Sequence, residues 1–249
     1  MLSTVILTKD NELNIAECIK PLDFSDEIII IDDFSGDKTV AIAKKLSAKV
    51  FKRKLNDNFA AQRNFGLDKA SWEWVLFLDP DERISDNTAA EILIAIKEEN
   101  YAGFYFKRND YFAGKLLSHG EVGSVRLLRL GRKDAGRWTR RIHETWNIDG
   151  SKAELKNPIM HYPHPRISDF IKNINYYASL HVRENMHEGK ISNIFKIIFY
   201  PKYKFIKFYF FKLGFLDGVA GFVYAVIMSL HSFLAWSNIW LIQRNTLHK

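Results

Sequence analysis

Two carboxylates separated by one residue, Asp79 and Asp81, are the clearest candidates for chemistry in this sequence. They follow the apolar run 74–78, which is typical of a buried strand in a parallel sheet. Residues two apart in an extended chain point to the same side, so both carboxylates can face one ligand. Ligands of open α/β sheets bind at the carboxyl ends of strands, and oxygen donors suit Mg²⁺ or Mn²⁺. The pair therefore predicts a divalent cation shared with phosphate oxygens, and an ordinary polar turn is the alternative.

Strand and helix patterns alternate through the first hundred residues and must position this pair. The strand patterns cover residues 2–7, 27–31, 49–52 and 74–78, and the helical patterns cover about 10–20, 38–47, 58–70 and 85–99. This alternation indicates βαβ units and a parallel sheet with right-handed crossovers. No G-x-G-x-x-G follows the first strand and no G-x-x-x-x-G-K-[ST] occurs, which disfavours a classical dinucleotide fold and a P-loop enzyme.

Polar residues recur where the predicted strands end. Thr8 and Glu12 follow the first strand, and Asp33 follows the second. A carboxylate in such a position can accept hydrogen bonds from ribose hydroxyls or from a base N–H group. Arg63, on the helix before the Asp79 strand, can pair with a diphosphate. Singly, Asp33 fits a turn and Arg63 fits a solvated helix surface, but their shared place in the repeated pattern favours a nucleotide site.

The order and spacing of these segments resemble the signature of family 2 glycosyltransferases. The matching segments are STVILTKDNE at 3–12, IDDFSGDKT at 31–39, QRN at 62–64 and LDPDE at 78–82. The resemblance covers residues 1 to about 100 strongly and continues more weakly to about 165. It implies an α/β fold of the glycosyltransferase-A type, with a mixed, mainly parallel sheet flanked by helices. It also implies an inverting transferase that uses a nucleotide-diphospho-sugar with Mg²⁺ or Mn²⁺.

The same resemblance implies roles for individual residues. The residues implied to contact the nucleotide-sugar are Thr8, Glu12, Asp33, Arg63 and Asp79. Asp79 and Asp81 are implied to hold the metal with the diphosphate. The sequence looks like the small enzymes that transfer β-linked glucose to heptose in the inner core of bacterial lipo-oligosaccharide. The expected donor is therefore a UDP-sugar, UDP-glucose first, and the expected acceptor is a hydroxyl of a lipid-linked saccharide such as lipopolysaccharide core heptose.

The middle of the chain holds candidates for the acceptor side. Residues 101–107 and 125–130 read as strands around a loop of aromatic and polar residues, which suits sugar binding and ordinary packing about equally. Transfer to a hydroxyl with inversion needs a carboxylate that accepts the acceptor's proton. By the resemblance, the candidate base is Glu144, and Asp110 and Glu121 are held in reserve.

Two alternatives stay open for this region. Glu144 could instead form a structural ion pair with Arg140 or Arg141. His161 lies between Met160 and a segment with two prolines, and a neutral imidazole can complete a metal shell of carboxylates and phosphate. The resemblance makes His161 a third metal ligand, and an ordinary loop histidine is the alternative.

The last third of the chain changes character and becomes helical from about residue 168. Lysines interleaved with Phe, Ile and Tyr, with no acidic residue between them, occur at Lys190, Lys196, Lys202, Lys204, Lys207 and Lys212. Such helices are typical of membrane surfaces, and no recognition fold accompanies them that would indicate nucleic acid. Residues 219–242 are uncharged apart from His231 and are long enough to span a bilayer. A monotopic helix pair in one leaflet fits equally well and is favoured by the resemblance.

Composition and length set the expected organisation. The chain has 249 residues, 47% of them hydrophobic, which fits one large α/β domain or one domain with an appendage. Its net charge of +7 predicts an anionic partner or surface. The single cysteine, Cys18, rules out an internal disulfide framework. From the strand-like start we expect no signal peptide. We expect a catalytic domain at 1–165 on the cytoplasmic face of the inner membrane, held to the inner leaflet by a region at 166–249.

Two other functions remain open at this level. Transfer of a sugar to a polyprenyl phosphate would need no general base, because a phosphate is already anionic at neutral pH. A non-catalytic, membrane-bound module could keep the fold only to bind a nucleotide or a sugar, since a fold alone does not define a function. A sugar-1-phosphate nucleotidyltransferase is disfavoured, because its glycine-rich N-terminal loop is missing.

Overall fold

The computed structural model describes residues 1–163 and 166–247, which belong to two compact units. The first unit contains residues 1–108 and 126–161, and the second contains residues 109–125 together with the described residues from Tyr162 onward. The predicted division at residue 165 differs from this in one respect. The segment 109–125, expected in the catalytic domain, belongs to the second unit.

The strands in the described part of the chain are β1 (Leu2–Thr8), β2 (Glu27–Asp32), β3 (Lys49–Lys52), β4 (Trp74–Leu78), β5 (Glu82–Arg83), β6 (Gly103–Phe112), β7 (Lys115–Leu117), β8 (Arg126–Arg132), β9 (Gly136–Thr139), β10 (Thr145–Ile148), β11 (Lys152–Glu154) and β12 (Ile159–His161). The main sheet has the order β3-β2-β1-β4-β8-β6-β12-β5, with β11 beside β6. The first four of these are mutually parallel, whereas β8 is antiparallel to both β4 and β6. The predicted mixed, mainly parallel sheet flanked by helices is confirmed.

The sheet is buried on both faces because its strands alternate between two cores. In β1, Leu2 and Ile6 pack into one hydrophobic cluster, whereas Val5 and Leu7 pack into the other. Close approach of a helix on the second face depends on Gly66. A Cβ atom placed there would lie 2.5 Å from Cγ1 of Val5. Any larger residue at this position would push the helix away from β1.

The helices of the first unit are α1 (Ile15–Ile19), α2 (Thr39–Lys45), α3 (Phe59–Lys69) and α4 (Asp86–Ala95). Side-chain caps set two of their starts, because Asn58 accepts from the Ala61 N–H group and Ser85 accepts from the Thr88 N–H group. All four helices are shorter than the sequence patterns predict. In particular, α1 ends at Ile19, and Pro21 lies inside a following 3₁₀ turn, because proline is compatible with the start of a helical turn.

A loop predicted around residues 108–114 is instead a β-hairpin. Strand β6 continues to Phe112 and pairs with β7, with Asp110 opposite Leu117. The turn between them is Ala113-Gly114, and both residues have positive φ, 50° and 75°. The polar residues at the end of β6 obscure the alternation typical of a strand, so the sequence pattern did not predict this part of it. Backbone pairing does not require apolar side chains.

The second unit combines this hairpin with three helices, α5 (Ile167–His187), α6 (Ile194–Ile206) and α7 (Gly218–Leu247). A π-helical stretch, Lys207–Phe211, extends α6, and a 3₁₀ turn, Gly214–Asp217, precedes α7. A small core forms between the hairpin, α5 and α7; it contains Phe112, Leu117, Val122, Phe170, Ile174 and Ile227.

Helices α6 and α7 run antiparallel along one another. Near the start of α6, the Ser192 hydroxyl donates to the carbonyl of Trp236 at 2.8 Å. Further along, the Ser229 hydroxyl donates to the carbonyl of Pro201 at 2.7 Å, and the rings of Phe205 and Phe222 are 6.0 Å apart. In the described residues, the segment Gly214–Asn245, with a mean hydropathy of 1.7, is long and apolar enough to cross a membrane.

Candidate active site

The candidate site lies where β1, β2 and β4 end side by side. Thr8 is opposite Asp32 in the parallel register of β1 and β2, and the Asp33 N–H group donates to the Thr8 carbonyl at 2.9 Å. Asp79 follows β4, the other neighbour of β1. Parallel strands therefore bring the three predicted strand ends to one edge of the sheet, as the sequence pattern requires.

The residues predicted to hold the nucleoside lie on two interlocked loops. The Lys38 N–H group donates to Glu12 Oε2 at 3.0 Å, which ties the loop after β1 to the loop after β2. The Asp33 carboxylate accepts hydrogen bonds from Lys9 Nζ at 2.9 Å and from the Leu55 N–H group at 3.0 Å. Thr8 Oγ1 is buried and has no hydrogen-bond partner among the residues that the structure describes.

The QRN segment of α3 holds three parts of the unit together. Gln62 accepts from Arg53 Nη1 at 2.7 Å and donates to the Arg53 carbonyl at 2.8 Å. Asn64 donates to the Trp138 carbonyl and accepts from its N–H group, both at 2.9 Å, which fixes β9 against α3. Between these two residues, the buried side chain of Arg63 points into the site.

Arg63 joins two predicted site residues that are 65 positions apart in sequence. Its Nη2 lies 2.9 Å from Asp79 Oδ1, and its Nε lies 2.7 Å from Glu144 Oε1. Glu144 therefore does form an ion pair, but with Arg63 and not with the nearby Arg140 or Arg141 considered from the sequence. The guanidinium carbon lies 4.7 Å from the ring centroid of Trp138, so stacking also fixes its position.

The loop that carries Glu144 is positioned by aromatic packing. It connects β9 and β10, whose Trp138 and Trp146 rings are stacked 5.2 Å apart. Both rings also pack edge-on against Phe77 of β4, at 5.1 Å each. The same strand that ends at Asp79 thus supports the hairpin that presents Glu144.

The second predicted carboxylate, Asp81, faces a different partner. Its Oδ2 lies 3.5 Å from Nε2 of His161, and both side chains are largely buried. No group of three His, Cys, Asp or Glu side chains that could hold a metal ion occurs within 1–163 and 166–247. Both carboxylate oxygens of Asp79 face guanidinium groups. Asp81 and His161 fit two ligands of an ion, and the predicted set of three stays a prediction.

The reserve candidates for the base lie in the second unit. Asp110 is buried, with 2% of its surface exposed. Glu121 Oε1 lies 3.1 Å from Lys204 Nζ, so an ion pair within the second unit already involves this carboxylate.

Comparison with known proteins decides the family. The family model described as Glycosyl transferase family 2 matches residues 3–153, more than half of the chain. The chain belongs to glycosyl transferase family 2. A relative from Rhizobium meliloti (strain 1021), "Lipopolysaccharide core biosynthesis glycosyltransferase LpsC", is 27% identical over 99% of this chain and 93% of its own length. An uncharacterised glycosyltransferase of Rickettsia typhi, RT0209, is 28% identical over 94% of this chain and 84% of its own length.

Solved structures support the same fold. The crystal structure of S. aureus TarS 1-349 in complex with UDP-GlcNAc is similar with a TM-score of 0.50 and 16% identity. The similarity covers 93% of this chain and 81% of that one. The glycosyltransferase-A architecture implied by the sequence resemblance is thereby confirmed for this family 2 chain.

One residue of this family 2 site was missed from the sequence. Arg129, on β8, is 4% exposed, and its Nη2 lies 2.5 Å from Asp79 Oδ2 and 3.2 Å from Glu82 Oε1. Glu82 is fully buried and also accepts from the Asp79 N–H group at 2.9 Å. The available signal was the position of Arg129 between the apolar residues Leu128 and Leu130 of β8, because charged residues are rarely buried unless they are paired.

The charged residues of this cluster shift one another's pKa values. Burial alone would raise the pKa of Asp79, but Arg129 and Arg63 outweigh it and hold that pKa well below its usual range. Burial also dominates at Glu82, whose pKa is raised in spite of Arg129. Asp79 is thus anionic at neutral pH.

Two buried guanidinium nitrogens of this cluster, Arg63 Nη1 and Arg129 Nε, have no hydrogen-bond partner within the described residues. A buried donor left without an acceptor is costly, and each such donor calls for an explanation. An anionic ligand that accepts from Arg63 would supply one.

Proposed function

We propose that this family 2 glycosyltransferase moves a sugar, with inversion, from a UDP-sugar to a hydroxyl of a lipid-linked saccharide. The observation that carries the proposal is the bridge made by Arg63, which holds Asp79 at 2.9 Å and Glu144 at 2.7 Å. One guanidinium thereby joins a strand-end carboxylate of the donor side to the candidate base. The LpsC relative, named for lipopolysaccharide core biosynthesis, supports a core saccharide as the acceptor. Heptose as the acceptor sugar and UDP-glucose as the first donor to test follow from the sequence resemblance.

The donor half is assigned to the ends of β1, β2 and β4. Thr8, Glu12 and Asp33 would bind the nucleoside, because they lie on adjoining loops at the carboxyl edge of the sheet. Arg63 would bind the diphosphate through its unpaired Nη1, since planar guanidinium groups suit phosphate oxygens. Asp79, fixed by two arginines, would orient the donor.

The acceptor half is assigned to Glu144. Its Oε2 would accept the proton of the acceptor hydroxyl while the resulting oxygen attacks the anomeric carbon. The bond from that carbon to the diphosphate oxygen breaks, and UDP leaves with the electron pair. Attack opposite the leaving group inverts the anomeric configuration. Arg63, in contact with Glu144, would hold that carboxylate in position before the transfer.

A divalent cation, Mg²⁺ or Mn²⁺, would be held by Asp81 and His161, with the diphosphate as a further source of oxygen ligands. When bound, the ion neutralises charge on the departing diphosphate. A third ligand from Asp79 would require that carboxylate to leave one of its arginines.

Membrane attachment through the second unit is part of the proposal. What supports an interfacial position, and not a crossing, is the pairing of α6 with α7. If α7 crossed the bilayer, its antiparallel partner would carry Lys196, Lys202 and Lys204 to membrane depth. Each buried lysine costs about 2.5–3.5 kcal/mol on insertion scales. A helix pair lying at the inner leaflet keeps these lysines among anionic headgroups.

The transfer is tested with a panel of nucleotide-sugars, following donor hydrolysis and product formation with and without Mn²⁺. Turnover of a UDP-sugar that depends on the metal supports the proposal, and lack of turnover of every UDP-sugar overturns it. A non-catalytic module would bind without turnover. A polyprenyl-phosphate acceptor would be indicated if transfer to that lipid did not depend on Glu144.

The attachment is tested separately. Removing the chain after Ser192 should move the protein from the membrane fraction to the soluble fraction, and high salt alone should release little, because apolar burial is not screened. Cysteines introduced at Lys212 and Arg244, near the two ends of α7, should be labelled from the same side of the membrane. Labelling from opposite sides would establish a crossing and refute the interfacial arrangement.

A further inference from the structure

A cavity of about 370 Å³ lies in the second unit beside the first turns of α7. Its size falls at the lower end of the range for small-molecule sites, about 300–1,000 Å³. Most of its lining is apolar and comes from the β6–β7 hairpin, the start of α5 and the start of α7; it includes Phe112, Ala113, Ile167, Val219, Ala220 and Val223.

Two cationic side chains from different segments also line this cavity. Lys115, next to the hairpin turn, donates one hydrogen bond from Nζ to the carbonyl of Asp217 at 2.8 Å. Arg166, just before α5, has Nε 3.7 Å from Asp169 Oδ2, and both side chains are exposed. These contacts leave further N–H groups on both side chains, because Lys has three donors and Arg has five.

The cavity lining also contains one acidic residue, Asp217, whose carboxylate is already hydrogen-bonded to other residues of the protein. Its carboxylate accepts from the His119 N–H group at 2.9 Å, the Ser118 N–H group at 3.3 Å and lies 3.0 Å from His119 Nδ1. The hydrogen bonds of this buried carboxylate are therefore made with the residues just after β7, whereas the two cations are exposed. The amino-terminal end of α7 adds positive potential on the same side.

The cavity opens onto an apolar stripe along α7. Val219 is both a lining residue and 80% exposed, and Phe222 and Val226 continue the exposed stripe at successive turns. A ligand with a charged head and an apolar tail would match this sequence of environments, with the head at the cations and the tail along the stripe.

We propose that this cavity is a binding site for one anionic glycerophospholipid of the membrane, whose phosphate is held by Lys115 and Arg166. The acyl chains follow Val219 and the exposed stripe of α7. The site fixes the second unit at the membrane through a specific lipid, in addition to the general attraction of the lysines on α6. This proposal rests on the membrane attachment proposed above and not on the transfer reaction.

Native mass spectrometry of the full-length protein in detergent tests the site, with phosphatidylglycerol, phosphatidylcholine and inorganic phosphate as probes. The wild-type protein should retain one phosphatidylglycerol in preference to phosphatidylcholine. Arg166→Gln, and Arg166→Gln combined with Lys115→Gln, should lower retention roughly tenfold or more, because hydrogen bonds to charged groups are lost. The matched control combines Lys172→Gln with Lys202→Gln, which removes the same charge at exposed positions outside the cavity.

Each result decides the proposal. Equal retention of the two lipids, or an equal effect of the cavity and control variants, would mean general surface attraction and overturn it. Displacement of the lipid by inorganic phosphate would identify a free-phosphate site instead. Arg166→Gln alone keeps the test valid if removal of the Lys115 contact impairs folding. Donor hydrolysis by the same variants should be unchanged, so failure of this site is distinguishable from failure of the proposed reaction.

Discussion

Replacement of Glu144 by Gln separates the two halves of the proposed reaction. Gln has the same shape, and its Oε1 can still accept from Arg63 Nε, as Glu144 does at 2.7 Å. The contact between Arg63 Nη2 and Asp79 does not involve this side chain. The variant therefore keeps the donor side in place and removes only the ability to accept a proton.

The size of the effect follows from these contacts. A positioned general base contributes about 10²–10⁴-fold, which corresponds to roughly 2.7–5.4 kcal/mol in activation free energy. The hydrogen bond from Arg63 changes from charge-assisted to one with a neutral acceptor and becomes about half as strong. We thus expect kcat to fall about 10²–10⁴-fold, with the Kd for UDP nearly unchanged and only a small decrease in thermal stability.

The assay measures initial rates of transfer at saturating donor, UDP affinity by calorimetry, and donor hydrolysis without acceptor. Slow hydrolysis should persist, because water can lose its proton to bulk solvent. Glu154→Gln is the matched control: the same chemical change is made at an exposed carboxylate that pairs with Arg126 at 3.1 Å. Loss of donor affinity with kcat retained would make Glu144 a structural partner of Arg63. Full activity would refute its role as base and favour a phosphate acceptor.

Three further predictions concern the metal, the buried arginine and the stability of the sheet. Asp81→Asn should abolish Mn²⁺ binding in the presence of UDP, measured by calorimetry, while the protein stays folded at the assay temperature; undiminished binding would exclude this ligand. Arg129→Met should destabilise the protein by about 3–5 kcal/mol in denaturant unfolding, because a buried carboxylate loses its partner, and adding Glu82→Gln should recover part of the loss. Burial alone would raise the pKa of Glu27, but hydrogen bonds from Lys49, Ser3 and Ser71 hold it below its usual 4.5. Its contribution to stability should therefore be present above about pH 4.5 and be lost as the pH falls through the lowered value, and Glu27→Gln should flatten that part of the stability profile.

Local patterns were sufficient for the strand ends of the site. The run at 74–78 matches β4, and the carboxylates after it lie at the sheet edge, because a buried apolar strand and its carboxyl end can both be read from adjacent residues. The same holds for Thr8 and Asp33. Parallel pairing then places these residues together without any further information from the sequence.

Contacts between distant residues could not be predicted in this way. Arg63 and Glu144 are 81 positions apart, and neither shows in its own neighbourhood that the other is its partner. Local sequence instead offered Arg140 and Arg141 as partners of Glu144. Glu144 pairs with Arg63 instead, because Asn64 and the stacked Trp138 hold the β9–β10 hairpin against α3.

The β-hairpin in the segment 109–125 was not predicted, for a related reason. Its polar side chains obscured the strand period, and its place in the second unit depends on hydrogen bonds to Asp217, about a hundred residues later. When each segment is interpreted from its own residues alone, such a hairpin is assigned to the domain that flanks it in the sequence.

Arg63 explains why the donor and acceptor halves of this site would act together. Its side chain is 3% exposed, yet Nη1 has no hydrogen-bond partner in the described residues while its other groups bind Asp79 and Glu144. A buried N–H group without an acceptor costs about 1–3 kcal/mol, so an arriving diphosphate oxygen would gain that bond without displacing either carboxylate. The donor would then complete an arrangement in which the candidate base is already fixed. Such a site would lose little further freedom on forming the transition state, which is the condition for efficient electrostatic catalysis.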